Sequence, residues 1–307
     1  MSALDNRIKF RHLQCFLEVA RQGSVGKAAQ VLALTQPAVS KKLAELEDML
    51  GVQLFERSKK GVSLTAFGEV FLRHAGASVA ALREGVDSIL QARRGDTLLR
   101  IGALPTVSAR IMPDTVRKFK ASGADATVSV QTGPNALLLE QLRLGELDVV
   151  VGRLAAPEQM TGLSFSHLYS ERVALVTRPG HPLQQDHITR LDRIQDFTVL
   201  LPSDDSIIRS TVDKLLITHG IGHLPDRIET ISTEFGRDYV RHSDAIWIIS
   251  HGVVAKDIEE GILIELDMDT RDTMGPVGIT TRTDLQASAS LEMLIDCIRQ
   301  VAEGIQA

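Results

Sequence analysis

Two cysteines, Cys15 and Cys297, are all that the 307 residues carry, and each sits inside an apolar helical pattern. Too few and too far apart for a disulfide framework or a thiolate metal centre, they read as buried free thiols. No apolar run approaches the roughly 18–20 residues that a membrane-spanning helix needs. The opening MSALDNRIKF has no apolar stretch of the secretory kind, so a cytoplasmic protein without membrane partners is expected. Catalytic signatures are missing too. There is no G-x-S-x-G elbow, no G-x-x-x-x-G-K-[ST] loop and no H-E-x-x-H pair, and Gly220-Ile221-Gly222 lacks the third glycine of a dinucleotide fingerprint. The histidines are scattered, with His181 and His219 reading as turn residues. Internal repeats and low-complexity segments are likewise missing. The expectation is a protein that is not an enzyme and uses neither a metal nor an organic cofactor.

What is present fits two or three globular units of about 100–150 residues. Hydrophobic side chains make up 44% and charged ones 24%, enough to build packed cores. The net charge of −5 is unevenly spread. Residues 1–65 hold ten Lys/Arg against six Asp/Glu, a net of +4, and the remainder holds 24 against 33, a net of −9. A basic head on an acidic body directs any polyanionic partner to the head.

Leu13, Phe16, Leu17 and Ala20 fall on one face of a helix expected over residues 8–22, which Gly23 ends. Ser24 is a natural N-cap for a second helix carrying Val25, Ala28, Ala29 and Leu32. After a short turn, Thr35 caps a third, with Pro37 tolerated in its first turn and Val39, Leu43, Leu46 and Leu50 facing inward. Two short extended runs around Ser58-Lys59-Lys60-Gly61 read as a hairpin wing. From Ala66 to Arg94 no proline interrupts a helical pattern of roughly 43 Å. Phe67, Val70, Phe71, His74, Ala77, Ala81, Leu82 and Ile89 recur along it at spacings of three and four, which suits pairing with a second copy. Packing of this helix against its own body is the alternative. Beyond the hinge at Arg93-Arg94-Gly95-Asp96, strands and helices alternate, implying α/β folding on mostly parallel sheets.

Helix, three-residue turn, helix and wing make a winged helix-turn-helix, expected to read double-stranded DNA. On the outer face of the third helix, Gln36 and Ser40 can hydrogen-bond base edges, and Pro37 can press on a thymine methyl. Lys41 and Lys42 suit phosphates or a guanine edge. Ser24, Lys27 and Thr35 lie at helix starts where exposed N–H groups meet phosphate, and Arg57, Lys59 and Lys60 would carry the wing to the adjacent backbone. Residues 24–57, SVGKAAQVLALTQPAVSKKLAELEDMLGVQLFER, followed by LTAFGEVFLRHA, resemble the signature of the LysR-type transcriptional regulators. The family often has arginine where Lys41 stands, and lysine offers a point charge in place of a two-pronged fork.

The resemblance spans the chain. It implies a DNA-binding domain over 1–65, a linker and dimerisation helix over 66–94, and an effector-binding domain over 95–307. That domain would resemble a type 2 periplasmic-binding protein, with one Rossmann-like subdomain of about 95–166 plus 268–307 and a second of about 167–267. Within the family, IGALPTVSARIMP, LLLEQLRLGELDVVVGRLAAPEQM, LYSERV, SDAIWIISHGVVA and GPVGIT are similar to the branch of activators controlling protocatechuate catabolism. That branch implies β-carboxy-cis,cis-muconate as effector, with a sugar or sulfonate as the alternative ligand class. The family likeness further implies homodimers through the linker helix, a homotetramer, promoter bending and contact with RNA polymerase. A bare α/β binding or catalytic domain, or a DNA-coating protein, is the rival reading; the first leaves the N-terminal helices without a purpose and the second the cleft domain.

Independently of that likeness, three strand-to-helix junctions suit a ligand, because ligands of open α/β sheets lie beyond the carboxyl ends of the strands. The first carries Pro105, Thr106, Val107 and Ser108; the second Pro202 and Ser203; the third Ser232, Thr233 and Phe235. Hydroxyls at helix N-termini favour carboxylates, Arg153 adds a charged donor, and Phe235 offers a stacking face. Asp204 and Asp205, beside the second junction, would oppose a tricarboxylate if they faced the cleft and are expected to turn outward.

Overall fold

The computed structural model describes residues 7–58, 61–94, 97–185, 191–285 and 287–306. The chain divides into two compact units, Met1–Arg94 with Arg143–Glu146, and Gly95–Leu142 with Leu147–Ala307.

In the first unit, α1 (Phe10–Gln22), α2 (Val25–Val31) and α3 (Gln36–Leu50) enclose Phe16, Val19, Ala28, Val39 and Leu46. The ends of these helices follow from single residues. Gly23 adopts φ 57°, the left-handed conformation that closes a helix, and its N–H reaches the Val19 carbonyl. Ser24 Oγ then accepts from the Lys27 amide, and Thr35 Oγ1 from the Ala38 amide, as N-caps do. In the turn between α2 and α3, Ala33 takes φ 53°. The Leu34 amide bonds back to the Ala29 carbonyl at 2.9 Å, a Schellman closure built without glycine.

The wing pairs β1 (Phe55–Ser58) with β2 (Gly61–Leu64) antiparallel, Phe55 opposite Leu64 and Ser58 opposite Gly61. Backbone amides fix it to the bundle: Glu47 Oε1 on α3 accepts from the Leu54 and Phe55 amides at 2.8 and 3.2 Å, and the Val62 amide reaches the Gly23 carbonyl at 3.0 Å. The long helix α4 covers Ala66–Arg94. Its apolar residues divide between two faces, a refinement of the single seam read from spacing. Phe71, Leu72, Ala75 and Val79 join the head's own core, where Phe71 meets Phe16 edge-on at 5.0 Å. Phe67, Val70, Leu82, Val86 and Ile89 stay exposed.

The second unit runs β3 (Thr97–Ala103), α5 (Pro105–Arg110), α6 (Met112–Ala121), β4 (Ala126–Gln131), α7 (Asn135–Arg143), β5 (Val149–Arg153), β6 (Leu163–Glu171) and β7 (Val173–Thr177). It continues through β8 (Val199–Leu201), α8 (Arg209–Thr218), β9 (Arg227–Glu229), α9 (Thr233–Arg241), β10 (Ile246–Ser250) and α10 (His251–Glu259). β11 (Ile264–Glu265), β12 (Gly275–Arg282) and α11 (Ala289–Gln306) complete it. Two sheets result, ordered β4-β3-β5-β12-β6 and β11-β7-β10-β8-β9.

Each sheet is mixed, which corrects the expectation of mostly parallel sheets. In the first, β4, β3 and β5 run parallel while β12 pairs antiparallel with both β5 and β6. In the second, β9, β8 and β10 run parallel, and β7 pairs antiparallel with both β10 and β11. β6 and β7 are separated only by Arg172 and enter different sheets. The β6–β12 ladder continues to Glu171 opposite Gly275, so the first sheet extends past the boundary read near residue 166. Between β3 and β4 the chain forms two helices rather than one, with the break at Ile111 and Pro113 in the first turn of α6.

Candidate functional site

Two sets of residues carry the chemistry. On the head, α3 buries Val39, Leu43 and Leu46. Gln36, Pro37 and Lys41 are therefore left exposed on the opposite face, with Ser40 and Lys42 half-buried at its edges. Lys27 is exposed in the first turn of α2, beside the Ser24 cap. Arg57 lies in β1. Lys59 and Lys60 fall outside the described residues. Polar short side chains and lysines thus share the N-terminal end of one helix, with capped helix starts on either side of the turn.

In the second unit, the carboxyl ends of strands from both sheets close around one cavity. Leu104, Pro105 and Thr106 follow β3, Gly133, Pro134 and Asn135 follow β4, and Arg153 ends β5. From the other sheet come Asp205 to Ile208 after β8, Ile231 after β9, and Ile249, Ser250 and Val253 around the end of β10. The walls are largely aliphatic, and the polar atoms on them are few. Two of those are buried donors without a hydrogen-bond partner among the described residues: Asn135 Nδ2 and Arg153 Nη1. The other terminal nitrogen of Arg153, Nη2, donates to the carbonyls of Glu171 and Thr273, each at 2.6 Å. Burial pushes this guanidinium below its ordinary range, opposed by the nearby Glu171 carboxylate.

Thr106 lines the cavity but its hydroxyl donates to Glu171 Oε2, so it is already engaged. Glu171 is 3% exposed, accepts from the Gly252 amide at 2.8 Å, and lies 3.7 Å from Arg110 Nη1. Burial raises this carboxyl above its usual range, against the opposing pull of Thr106, Arg110, Gly252 and Arg153. Since Thr106 sits on α5 and Gly252 on α10, one carboxylate at the end of β6 ties together helices packed on the two sheets.

The other sequence-predicted residues are distributed as follows. Val107 is fully buried among the sheet's core residues, and Ser108 bonds through its amide to the Leu104 carbonyl at 2.8 Å. The Pro202 carbonyl accepts from Arg209 Nη1 and Ser203 Oγ donates to Asp205. Ser232 Oγ caps α9 by accepting from the Phe235 amide, Thr233 begins that helix, and Phe235 stacks on Tyr239 at 5.6 Å. None of these borders the cavity, whereas Pro105, Thr106 and Arg153 do. Of the acidic pair, Asp204 turns to Arg209 at 2.7 Å, and Asp205 stands exposed at the cavity's mouth. Asn135 was missed by sequence reasoning, although Gly133-Pro134-Asn135 is a turn signal between strand and helix and so marks a fourth junction of the same kind.

Comparison with known families decides between a regulator and a bare binding domain. Residues 10–69 match the bacterial regulatory helix-turn-helix proteins of the lysR family, and residues 92–303 match the LysR substrate binding domain. The chain belongs to the LysR family of transcription regulators. The HTH-type transcriptional regulator PcaQ of Agrobacterium fabrum is 54% identical over 97% of this chain and 96% of its own length. Two full-length solved structures share the fold. LysG from Corynebacterium glutamicum with bound effector Arg matches at TM-score 0.58 and 23% identity, covering 97% of this chain and 99% of that one. CbnR complexed with target DNA matches at TM-score 0.54 and 24% identity, covering 96% and 100%. As a LysR regulator, the chain binds DNA and answers to a small-molecule effector, and its relatives are regulators rather than enzymes. Among the described residues no helix is long and apolar enough to cross a membrane.

Proposed function

We propose that the chain is a cytoplasmic activator of protocatechuate-catabolic genes, and that its effector is a small carboxylate held in the cavity between the two sheets. The observation that carries the ligand class is the pair of unpartnered donors, Asn135 Nδ2 and Arg153 Nη1, on the walls of a single cavity. A buried donor without an acceptor costs about 1–3 kcal/mol, and a carboxylate supplies acceptors for both. The branch of catabolism rests on the likeness to PcaQ. Asp205 at the mouth argues for a ligand whose negative charge is concentrated at the Arg153 end. It is also the one feature that favours a sugar or a sulfonate instead.

The cavity volume of about 80 Å³ bears on mechanism. A dry cavity of roughly 150 Å³ accommodates benzene, so complete enclosure of an acid of that size would require the two sheets to move apart. Ligand binding therefore changes the angle between subdomains, and a coupling of about 1–3 kcal/mol is enough to alter the DNA complex. Gln36, Pro37, Ser40 and Lys41 would read base edges, with Lys42 on base or phosphate and Ser24, Lys27, Thr35, Arg57, Lys59 and Lys60 holding the backbone. The exposed stripe of α4 would pair two chains, two pairs forming a tetramer that bends the promoter and releases it to RNA polymerase when the effector binds.

Thermal unfolding against protocatechuate, β-carboxy-cis,cis-muconate, glucose and a simple sulfonate tests the ligand class. An effector at about 100 times its dissociation constant adds ~2.7 kcal/mol. The expected result is a rise of several degrees with β-carboxymuconate alone, lost in Asn135→Leu. A rise only with glucose or the sulfonate, or none with any of the four, overturns the reading.

A further inference from the structure

Arg153 forms part of the wall of a second cavity of about 310 Å³, which is lined on its far side by α8. Thr211, Lys214 and Thr218, at spacings of three and four, present one polar face of that helix to it, and His219 adds an imidazole at the helix end. Lys214 is exposed and makes no ion pair among the described residues. Thr218 Oγ1 is engaged by the Lys214 carbonyl, and His219 Nδ1 lies 2.9 Å from the Leu215 carbonyl, leaving Nε2 as its outward nitrogen. Two carboxylates border the cavity as well, Asp269 and Asp272. Asp269 is clamped by Arg271, whose Nε and Nη2 donate to it at 2.9 and 2.6 Å, and its charge is thereby largely answered. Arg153 is 8% exposed and retains an unpartnered Nη1. Cationic groups and free donors therefore converge here, with Asp272 at the rim, on a half-polar hollow that shares Arg153 and Ile207 with the largely aliphatic one.

We propose that this hollow is a second ligand site, taking a small oxyanion of the phosphate or carboxylate kind between Arg153 and Lys214, with Thr211 as an additional donor. Nη1 bears two hydrogens, so one guanidinium can serve an acceptor in each cavity. Two anions held at the same guanidinium repel, so occupancy of the α8 site weakens binding in the main cavity, and by thermodynamic reciprocity the converse holds. The linkage rests on the proposed carboxylate effector, whereas binding in the α8 hollow does not.

The test titrates full-length protein, in a zwitterionic buffer without effector, with inorganic phosphate and, separately, with succinate, by calorimetry. The expected result is saturable binding of at least one of them at one site per chain. Lys214→Met should weaken it about tenfold or more, and Thr211→Val by a smaller factor. Lys214 is exposed, so the variant's unchanged unfolding temperature serves to show that the fold persists. Absence of binding by both anions, or binding that survives Lys214→Met undiminished, as it would if phosphate sat on the basic head, overturns the site. Either result leaves the effector reading standing, because no effector is present.

Discussion

Glu171 is placed where the strand of one sheet ends and the chain passes to the other, and its environment makes two predictions. A Cβ added at Gly252 would lie 2.2 Å from Glu171 Oε1 and 2.7 Å from Thr106 Oγ1. Neither oxygen can retreat without losing its hydrogen bond, so Gly252→Ala should destabilise the fold by about 1–3 kcal/mol, measured by urea unfolding. The second concerns pH. Burial holds the folded carboxyl above its ordinary range, so the folded protein keeps this proton to higher pH than the unfolded chain does. Stability from this group is therefore present below the ordinary carboxylate range and is lost as pH rises through the folded value. Glu171→Gln keeps an acceptor for the Gly252 amide and can donate to Thr106, but does not titrate. The stability of the wild type minus that of the variant should fall as pH rises from the ordinary carboxylate range upward. A flat difference would mean that Arg110 and Arg153 outweigh burial.

At the scale of elements, the recognition helix offers a contrast between two substitutions. Gln36, exposed on the face opposite Val39 and Leu43, is the residue proposed to distinguish bases. Gln36→Ala should cost about 1–3 kcal/mol on the preferred operator and little on random duplex. Lys27, in the first turn of α2, should instead act on phosphate. Lys27→Ala is expected to weaken binding to all sequences alike and to reduce the slope of log affinity against log salt by about one. Fluorescence anisotropy over a salt series separates the two. The head was legible in the sequence almost to the residue because its boundaries are set locally: Gly23, Ser24, Thr35 and Gly51 stand at the helix ends they imply. The sensing sheets were legible as elements but not as pairings. Whether β12 joins β5 parallel or antiparallel depends on how distant strands meet, and the extended runs around Arg172 carry no signal that they enter different sheets. The cavity was legible as a set of strand-to-helix junctions. Which side chains face it was not, since hydroxyls such as those of Ser203 and Ser232 are consumed by their own backbone or neighbours.

For the whole molecule, the proposed pairing of two chains points to α4. Leu82, Val86 and Ile89 are 54%, 49% and 64% exposed, a run of apolar side chains that a lone helix in water gains nothing by displaying. Ile89→Asp should shift the protein toward monomer in sedimentation velocity at micromolar concentration and weaken operator binding, with the head's unfolding transition unchanged. A dimer that persists undiminished would place the contact elsewhere.

The position of β12 has a consequence for how the protein is made. This strand, Gly275–Arg282, lies inside the first sheet between β5 and β6, although it is the last of the described strands in chain order. The head's three helices and wing end by Leu64, and α4, whose Phe71, Leu72, Ala75 and Val79 join their core, ends at Arg94, so the head can form early in synthesis, since domains generally fold as units from the N-terminus. The sensing sheet waits, with β6 separated from β5, until residues 275–282 have been translated. A nascent chain truncated before residue 275 would therefore carry a finished DNA reader and no ligand control. A premature stop codon there is expected to produce a binder that occupies operators and cannot be switched, a dominant lesion rather than a simple loss.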